Sequence, residues 1–463
     1  MTVNSEIFKR YDIRGIYPSQ VNEEAAYLIG RAFAFFLCQK YHLSSPVVLV
    51  NYDVRSSSKS LFENLISGLI EQGAKVLNGG IATTPIHFFG NWHLKVDGSI
   101  MVTASHNPKE YNGFKLFLRE ANPLATDKGT EILYEIIEKG SFGKGHLDNK
   151  GRVEEVNFFD QYLEFLERNL PKIDFSKLKF AIDFSNGCWG LFFKEIAKKF
   201  SLNYIGIFEE PDGNFPNHEP NPLKTELLTE LRKTIKDPNL NFGIAFDGDG
   251  DRIMFFDEKG NAQRADFILG LLAKYYLKEV QSVTEDLTVV CDARASRGVR
   301  DVLEQENIKI IKSRVGYPFI KDLMRKHKAA LGVELSGHFF WKENHYSESP
   351  ILTLFRVMEV LEKLNQPLSK LVKPIAKYFS SKEINFEVED KLEKIKELER
   401  IYKDGKISKI DGLTVEYKDW WFNVRPSNTE PVLRLTVEAE TENLLEEKIR
   451  ELTEMILGQS SSF

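Results

Sequence analysis

The amino-acid sequence predicts an α/β protein with three mostly parallel-sheet α/β domains followed by a C-terminal α+β domain. The chain has 463 residues, more than one hydrophobic core usually serves, so several domains are expected. An apolar strand, an amphipathic helix and a second strand follow one another three times before residue 370. Beyond residue 370, apolar and polar residues alternate, which is typical of antiparallel strands with one exposed face.

The first predicted domain covers residues 1–148. A buried strand is expected over Pro46–Asn51, because this short run is almost wholly apolar. A helix is expected over Ser60–Gln72, where apolar residues recur at helical spacing and Gly73 marks the end. Further strands are expected at Lys75–Leu77 and Gly98–Thr103, and a core helix over Ala25–Cys38.

The same order of elements returns in residues 149–258 and 259–370, which we predict to be the second and third domains. The second has a strand at Phe180–Phe184, a helix over residues 191–200 and a strand at Tyr204–Phe208. The third has a strand at Leu287–Asp292, a helix over residues 297–306 and a strand at Lys309–Lys312. A helix that joins two strands in this way usually makes them parallel.

Residues 371–463 form the predicted fourth domain. Its expected strands lie at Glu383–Val388, Leu413–Tyr417 and Val432–Val437. A charged helix is expected over Lys391–Tyr402, and a closing helix over Thr441–Leu457. These patterns predict a small α+β domain with an antiparallel sheet.

Composition limits the class of protein. The chain has 62 Lys and Arg against 68 Asp and Glu, a formal net charge of −6, without the basic excess of a nucleic-acid-binding protein. Cys38, Cys188 and Cys291 are scattered, which argues against disulfides or structural zinc and fits a reducing compartment. No early apolar run is typical of a signal peptide or a membrane span. We therefore expect a cytoplasmic protein with neither nucleic acid nor membrane as partner.

A serine loop follows the strand at Gly98–Thr103. It places Ser105 and His106 at the carboxyl end of that strand, where ligands bind in open α/β sheets. A serine there is able to act as a nucleophile or to bind an anion through its hydroxyl. Because an Asn-Pro pair follows, ordinary turn chemistry is the alternative interpretation of these residues alone.

An aspartate loop carries three carboxylates, Asp247, Asp249 and Asp251, separated by glycines. Hard oxygen ligands of this kind suit Mg²⁺ or Ca²⁺. An EF-hand is one alternative, but Arg252 stands where that loop needs glycine, and the flanks Phe242–Phe246 and Ile253–Phe256 are typical of strands. An acidic turn without a ligand is another, although carboxylates so close together repel one another without a cation.

Two further loops carry polar side chains. In Gly332–His338, Glu334 and Ser336 are suited to hydrogen-bond the hydroxyls of a sugar. In Arg425–Pro431, an arginine, two hydroxyls and an amide in a turn are suited to bind a phosphate. A β-turn without a ligand is the alternative for the second loop.

With these four loops, the chain resembles the α-D-phosphohexomutases, most closely the bacterial phosphomannomutase/phosphoglucomutase branch. The resemblance covers essentially the whole chain, with the loops in the family's order and one in each predicted domain. It includes Phe8–Gly15 near the start and Asn112–Lys115 after the serine loop. It implies that the four domains surround a central active-site cleft.

The resemblance also implies roles for the matching residues. Ser105 would be the phosphorylated serine, and its phosphate would bind Mg²⁺ together with Asp247, Asp249 and Asp251. The catalytic residues around the reacting centre would be Ser105, Arg14, His106, Lys115, Arg252 and His338. The substrate-binding residues would be Tyr11, Lys321, Glu334, Ser336, His338, Arg425, Ser427, Asn428 and Thr429.

The reaction implied by the resemblance moves a phosphoryl group through Ser105. Phosphoserine gives its phosphate to the free hydroxyl of a hexose phosphate, and the resulting hexose 1,6-bisphosphate, intermediate and activator at once, returns its other phosphate. Such transfer depends mainly on positioning and charge neutralisation. The general base is expected among His106, His338 and Lys115. The expected partner is a small phosphosugar, and the expected state a monomer or small homo-oligomer.

Two departures from the family pattern bear on the substrate. Tyr317 stands where many members have histidine, although Lys321 still matches, and Tyr346–Pro350 replaces a stretch that often holds paired aspartates. Leu335 stands where phosphoglucosamine mutases commonly have glutamine, which favours glucose and mannose as substrates. The alternatives are a phosphoglucosamine mutase, a Mg²⁺-dependent sugar phosphatase, and a sugar-phosphate-binding protein without turnover.

Overall fold

The computed structural model describes residues 3–124, 129–142, 151–170, 173–277, 287–427 and 432–458. The chain divides into two compact units. Unit 1 comprises Met1–Gln263 and Ser336–Leu368, and unit 2 comprises Arg264–Leu335 and Ser369–Phe463. Each unit is built from sheets with helices packed on them.

The first sheet of unit 1 has six strands in the order β1-β5-β4-β2-β3-β6. Its strands are β1 (Ile13–Ile16), β2 (Val47–Tyr52), β3 (Lys75–Ile81), β4 (Gly98–Val102), β5 (Tyr111–Leu118) and β6 (Arg152–Glu155). The accompanying helices are α1 (Glu23–Tyr41), α2 (Ser58–Glu71), α3 (Thr84–His93), α4 (Glu131–Glu138) and α5 (Phe159–Asn169). Strands β4, β2, β3 and β6 are parallel, whereas β5 runs antiparallel to both β4 and β1.

The second sheet of unit 1 has five strands in the order β11-β10-β9-β7-β8. They are β7 (Lys179–Asp183), β8 (Asn203–Ile207), β9 (Phe242–Phe246), β10 (Ile253–Phe256) and β11 (Ala262–Gln263), with helices α6 (Trp189–Phe200) and α7 (Thr229–Ile235). Strands β8, β7 and β9 are parallel, and β10 returns antiparallel to β9.

Unit 2 begins with α8 (Ala265–Leu272), which a π-helix (Ala273–Leu277) extends. Three parallel strands follow, in the spatial order β13, β12, β14. These strands are β12 (Thr288–Asp292), β13 (Lys309–Ser313) and β14 (Leu331–Glu334), with helices α9 (Arg297–Gln305) and α10 (Tyr317–His327). The chain then contributes to unit 1 the antiparallel pair β15 (His338–Trp341) and β16 (Ser347–Glu348), and helix α11 (Pro350–Leu364).

The C-terminal part of unit 2 is an antiparallel sheet, as predicted. After α12 (Leu368–Val372) come β17 (Phe379–Ser380), β18 (Ile384–Phe386), α13 (Lys391–Ile401), β19 (Lys406–Ser408), β20 (Leu413–Glu416), β21 (Trp420–Pro426), β22 (Leu433–Ala439) and α14 (Glu442–Leu457). The order is β17-β22-β21-β20-β19, and β18 also pairs with β22. Short 3₁₀ helices occur at Ser5–Ile7, Arg119–Ala121, Phe175–Lys177, Thr225–Leu227 and Lys342–Asn344.

The sheets of unit 1 are more mixed than the predicted, mostly parallel ones. The connections after β4 and β9 are short. They are too short to bring the next strand back parallel, because a parallel neighbour needs a crossover connection of about a dozen residues or more. Strands β5 and β10 therefore fold back as antiparallel neighbours of β4 and β9. Both antiparallel returns follow a loop that carries candidate site residues.

Close helix packing builds the core of the first sheet's domain. A Cβ on Gly30 would lie 2.3 Å from the carbonyl oxygen of Leu65, and one on Gly68 would lie 2.0 Å from that of Tyr27. Glycine at both positions therefore lets the backbones of α1 and α2 touch. The buried Phe33 of α1 and Leu69 of α2 belong to the same apolar core. The predicted helix at Ala25–Cys38 is confirmed as part of α1. The four predicted domain boundaries stay predictions.

No helix in the described part of the chain is long and apolar enough to cross a membrane.

Candidate active site

The serine loop begins where β4 ends. Ser105 is buried and has a left-handed backbone conformation with φ of +52°. Its N–H donates to Oγ1 of Thr103 at 2.8 Å, and its Oγ donates to Oδ2 of Asp247 at 3.0 Å. Nδ1 of His106 lies 3.3 Å from the same Oγ. The predicted nucleophile is thus held against the predicted metal loop.

The aspartate loop is the tight connection between β9 and β10. Asp247, Asp249 and Asp251 are all buried, and one carboxylate oxygen of each lies within 4.8 Å of the others. The turn depends on Gly250, whose φ is +74° and whose carbonyl accepts a hydrogen bond from Nε1 of Trp189 at 2.8 Å. The flanking strands agree with the sequence prediction and exclude the helices of an EF-hand.

Three cationic or ionisable side chains surround the aspartates. Nζ of Lys115 lies 2.6 Å from Oδ2 of Asp249 and 2.6 Å from Oδ2 of Asp251. Nε of Arg252 lies 3.6 Å from Oδ2 of Asp247, and Nε2 of His338 lies 3.3 Å from Oδ1 of Asp251. Lys115 reaches the aspartates from β5, and His338 from the start of β15.

The buried charges change one another's titration. Burial opposes ionisation of Asp251, but Lys115 and His338 outweigh it and hold its pKa well below the usual range. For Asp247, burial and then the charges of Asp251 and Asp249 raise the pKa. Burial also opposes the charge of Lys115, yet Asp249 and Asp251 raise its pKa above the ordinary value. The protein partners therefore stabilise the charge on Asp251, whereas the charge on Asp247 is opposed by burial and by its neighbouring carboxylates.

The donor set fits a hard divalent cation. Three converging carboxylates are the oxygen ligands that Mg²⁺ prefers. Oδ1 of Asp249 is buried and has no hydrogen-bond partner among the described residues, which is costly unless another group binds it. Oδ2 of the same carboxylate is occupied by Lys115 and Thr84, so Oδ1 is the oxygen left for a metal.

The predicted residues of the reacting centre in unit 1 come together. Ser105, His106, Lys115, Arg252, His338 and the three aspartates form one connected cluster, as the distances above show. Arg14 joins it through Asn107 of the serine loop, to whose Oδ1 it donates at 2.6 Å. Tyr11 lies two positions before β1, and the adjacent Asp12 pairs with Arg14 at 2.5 Å. Ser336 lies 2.7 Å from Nδ1 of His338.

The remaining predicted residues belong to unit 2. Glu334 is buried at the end of β14, and the next N–H, that of Leu335, donates to Asp292 at 2.9 Å. Lys321 is buried on α10, and Ser427 follows β21. Arg425 is buried on β21, where it pairs with Glu383 at 2.9 Å. Asn428 and Thr429 lie outside the described residues.

Sequence reasoning missed three residues that hold this cluster. Thr84, the first residue of α3, donates through its hydroxyl to Asp249 at 2.6 Å. Asp53 and Arg55, directly after β2, contact the serine loop. The available signal was the charged pair Asp53 and Arg55 directly after a buried strand. That position is the same edge of the sheet at which the serine loop lies, and it could have indicated a role beside the loop.

Comparison with known proteins agrees with this geometry. Models of the phosphoglucomutase/phosphomannomutase family match successive parts of the chain: α/β/α domain I at residues 5–144, domain II at 160–260, domain III at 264–378, and the C-terminal domain at 383–455.

Curated relatives align along nearly the whole chain. A phosphomannomutase from Methanocaldococcus jannaschii is 39% identical over 460 residues, covering 98% of both chains. One from Vibrio cholerae is 36% identical, covering 97% of this chain and 98% of its own. The crystal structure of a phosphoglucomutase/phosphomannomutase family protein from Burkholderia thailandensis superposes with a TM-score of 0.88 at 29% identity, covering 99% of both chains. The chain therefore belongs to the phosphoglucomutase/phosphomannomutase family.

Proposed function

We propose that this protein interconverts the 1-phosphate and 6-phosphate of a hexose, glucose or mannose, through phosphorylated Ser105 and a hexose 1,6-bisphosphate. The observation that carries the proposal is the contact between Oγ of Ser105 and Oδ2 of Asp247, across 142 positions of the chain. A buried serine beside three carboxylates and a lysine has the equipment for phosphoryl transfer. Family membership and relatives named phosphomannomutase support the same activity.

The reaction proceeds in two balanced halves. In the first, the bond between phosphorus and Oγ of Ser105 breaks while a bond forms between phosphorus and the free hydroxyl oxygen of the hexose phosphate. The hydroxyl proton passes to a base, and Oγ of Ser105 is protonated. In the second half, the bond between the other phosphorus and its sugar oxygen breaks while a bond forms between that phosphorus and Oγ of Ser105. Oγ gives up its proton to a base, the sugar oxygen takes up a proton, and the opposite hexose phosphate leaves.

Asp247, Asp249 and Asp251 are the residues that would hold Mg²⁺, which neutralises charge on the transferring phosphate when bound. Lys115 and Arg252 add fixed positive charge beside the aspartates, at the distances given above. His106 lies against Ser105, and His338 lies against Asp251. These contacts support the two imidazoles, together with Lys115, as candidates for the base that exchanges the hydroxyl proton.

The family match supports further roles in binding the rest of the substrate. Glu334, Ser336 and His338 would contact the sugar hydroxyls, and Lys321 and Tyr11 would also bind the substrate. Arg425 and Ser427 would hold the non-reacting phosphate, and the adjacent Asn428 and Thr429 have the side chains to help. We infer a small phosphosugar as the partner, without nucleic acid or membrane, and a cytoplasmic monomer or small homo-oligomer. The net charge of −6 argues against a nucleic-acid partner, and the three free cysteines fit a reducing compartment.

Substrate choice is tested by parallel turnover assays of glucose 1-phosphate, mannose 1-phosphate and glucosamine 1-phosphate, each with catalytic hexose bisphosphate and Mg²⁺. We expect turnover of glucose or mannose 1-phosphate and little of glucosamine 1-phosphate. Turnover of the glucosamine compound alone would identify a phosphoglucosamine mutase. Release of inorganic phosphate without isomerisation would identify a phosphatase.

The phosphoserine is tested by intact-protein mass spectrometry after incubation with hexose bisphosphate. We expect one phosphoryl group, absent in Ser105→Ala and retained in part in Asp247→Asn. Ser67→Ala, at an exposed serine of α2, is the matched control and should remain fully phosphorylated. A phosphoryl group that persists in Ser105→Ala would refute the assignment.

A further inference from the structure

Arg55 lies beneath the serine loop and is almost wholly buried. Its Nη2 donates to the carbonyl oxygens of Ser105 at 2.7 Å and Asn107 at 2.6 Å. Its Nη1 donates to those of Pro108 at 2.8 Å and Tyr111 at 3.1 Å. One guanidinium thus binds four backbone carbonyls of a single loop.

Asp53 fixes the other side of that guanidinium. Oδ2 of Asp53 lies 3.2 Å from Nε of Arg55 and accepts a hydrogen bond from the hydroxyl of Thr103 at 2.7 Å. Oγ1 of Thr103 in turn accepts the N–H of Ser105. The Asp53–Arg55 pair therefore contacts the backbone of Ser105 twice, at its carbonyl directly and at its N–H through Thr103.

This support matters because the conformation of Ser105 is unfavourable on its own. A φ of +52° is a left-handed conformation that costs a non-glycine residue energy, so surrounding contacts must enforce it. Four carbonyls that point toward one place would also repel one another without a donor between them. Only arginine presents several N–H groups in a rigid planar fork, which a lysine cannot reproduce.

We propose that Arg55 is a positioning residue that holds the serine loop in the conformation from which Ser105 exchanges its phosphoryl group. It acts through the backbone of Ser105, Asn107 and Pro108. The inference rests on the proposed function, since the loop it holds carries the proposed phosphoserine. The expected signature is a loss in the transfer step with substrate binding preserved.

The test compares Arg55→Lys with wild type by steady-state kinetics on the preferred hexose 1-phosphate. We expect kcat to fall about 100-fold, as small misplacements of a reacting group do, while KM stays within about threefold. Arg119→Lys is the control, since Arg119 is half exposed, pairs with Asp97 and lies over the ring of Tyr41. It should retain wild-type kinetics. A wild-type kcat in Arg55→Lys, or a raised KM with kcat unchanged, would overturn the proposal.

Hydrogen exchange supplies a readout that does not depend on turnover. In wild type, the N–H groups of Ser105, Asn107 and Tyr111 are bonded within the loop. In Arg55→Lys, we expect faster exchange in peptides covering residues 104–111, with the sheet of β19–β22 unchanged. Faster exchange throughout the chain would mark Arg55 as a general stability residue and would contradict the proposal.

Asp53→Asn keeps the guanidinium of Arg55 but removes the negative charge that pairs with it. This variant serves for the same kinetic and exchange measurements if Arg55→Lys does not fold. We expect a smaller fall in kcat and a smaller increase in exchange at residues 104–111. Failure of both variants to fold would overturn the proposal that Arg55 acts on the serine loop alone. Absence of wild-type turnover with every hexose phosphate would instead reject the proposed function. The exchange difference at residues 104–111 would still decide whether Arg55 holds the loop.

Discussion

Thr84 and Lys115 both donate to Oδ2 of Asp249, each at 2.6 Å. The backbone N–H of Thr84 also donates to the carbonyl oxygen of Asp249 at 2.9 Å. These contacts fix the orientation of the carboxylate and leave Oδ1 buried without a hydrogen-bond partner among the residues described. Partners that orient a ligand in this way usually matter for metal affinity.

Replacing Thr84 with valine should therefore weaken divalent-metal binding. The change keeps the shape of the side chain but removes the hydroxyl, and we expect the Kd for Mg²⁺ or Mn²⁺ to rise about 10- to 100-fold. Isothermal titration calorimetry on the unphosphorylated enzyme measures this directly. Thr229→Val, at the exposed first residue of α7, is the matched control. Equal Kd values for the two variants would contradict the orienting role.

His218 is predicted to make stability depend on pH. Nε2 of His218 lies 3.2 Å from both oxygens of Asp183, and Nδ1 lies 2.8 Å from the carbonyl oxygen of Glu219. Burial opposes the charge on the ring, but Asp183 outweighs it and raises the pKa of His218. Because the pKa of His218 is higher in the folded than in the unfolded chain, its protonation stabilises the fold. This stabilisation is complete at pH values below the unfolded pKa of about 6.5, and it disappears as the pH rises through the folded pKa.

The check is the thermal midpoint of wild type and His218→Asn across pH 5 to 9. We expect the thermal midpoint of wild type to exceed that of His218→Asn most at acidic pH, and the difference to shrink toward alkaline pH. An advantage that grows with pH, or one that does not change, would contradict the charged pair.

At the scale of elements, the turn between β9 and β10 has little tolerance for a side chain. A Cβ on Gly250 would lie 2.4 Å from Nε1 of Trp189, in addition to the strain of a positive φ. We expect Gly250→Ala to cost about 3 kcal/mol of unfolding free energy and to weaken metal binding. Gly140, after α4, has a similar φ of +58° with open space around it, so Gly140→Ala should cost about 1 kcal/mol. Denaturant unfolding of the two variants measures the difference, and equal costs would contradict the steric argument.

The same elements show how far a sequence predicts structure. Strands β9 and β10 match their predicted ranges, because clear apolar runs flank the aspartate loop. Strand β5 was missed as a strand, since Asn112, Gly113 and Lys115 remove the apolar signal although all three are buried. Lys115 tolerates burial only because Asp249 and Asp251 neutralise it, and those partners lie more than 130 positions away.

Much of the candidate site was predictable from the residue types in four loops, whereas the residues that hold those loops and carboxylates in place were not. Ser105 and the aspartates stand out because their residue types and spacing are unusual. Arg55 and Thr84 look ordinary in sequence, and their roles appear only when distant backbone and carboxylate groups meet them. Supporting residues of this kind depend on tertiary contacts rather than on local pattern.

At the scale of the molecule, the two compact units have separate cores. One cluster of buried residues packs around α1 and α2 in unit 1, and another packs between the C-terminal sheet and α14 in unit 2. Chains with several cores often unfold in more than one step. The three aspartates that could hold a metal ion belong wholly to unit 1, so a cation bound there would stabilise unit 1 directly.

Differential scanning calorimetry should accordingly resolve two transitions, of which Mg²⁺ raises only one. A ligand that binds the folded state alone stabilises it by about 2.7 kcal/mol at 100 times its Kd, which sets the size of the shift to expect. Asp249→Asn should abolish the response to Mg²⁺, because it removes a ligand charge and the unpartnered oxygen. Asp237→Asn, which alters a carboxylate that accepts the N–H of Asn239 in a local turn, should keep the response to Mg²⁺. If Mg²⁺ raised both transitions equally, or still raised one in Asp249→Asn, the cation would not be acting through the aspartates of unit 1.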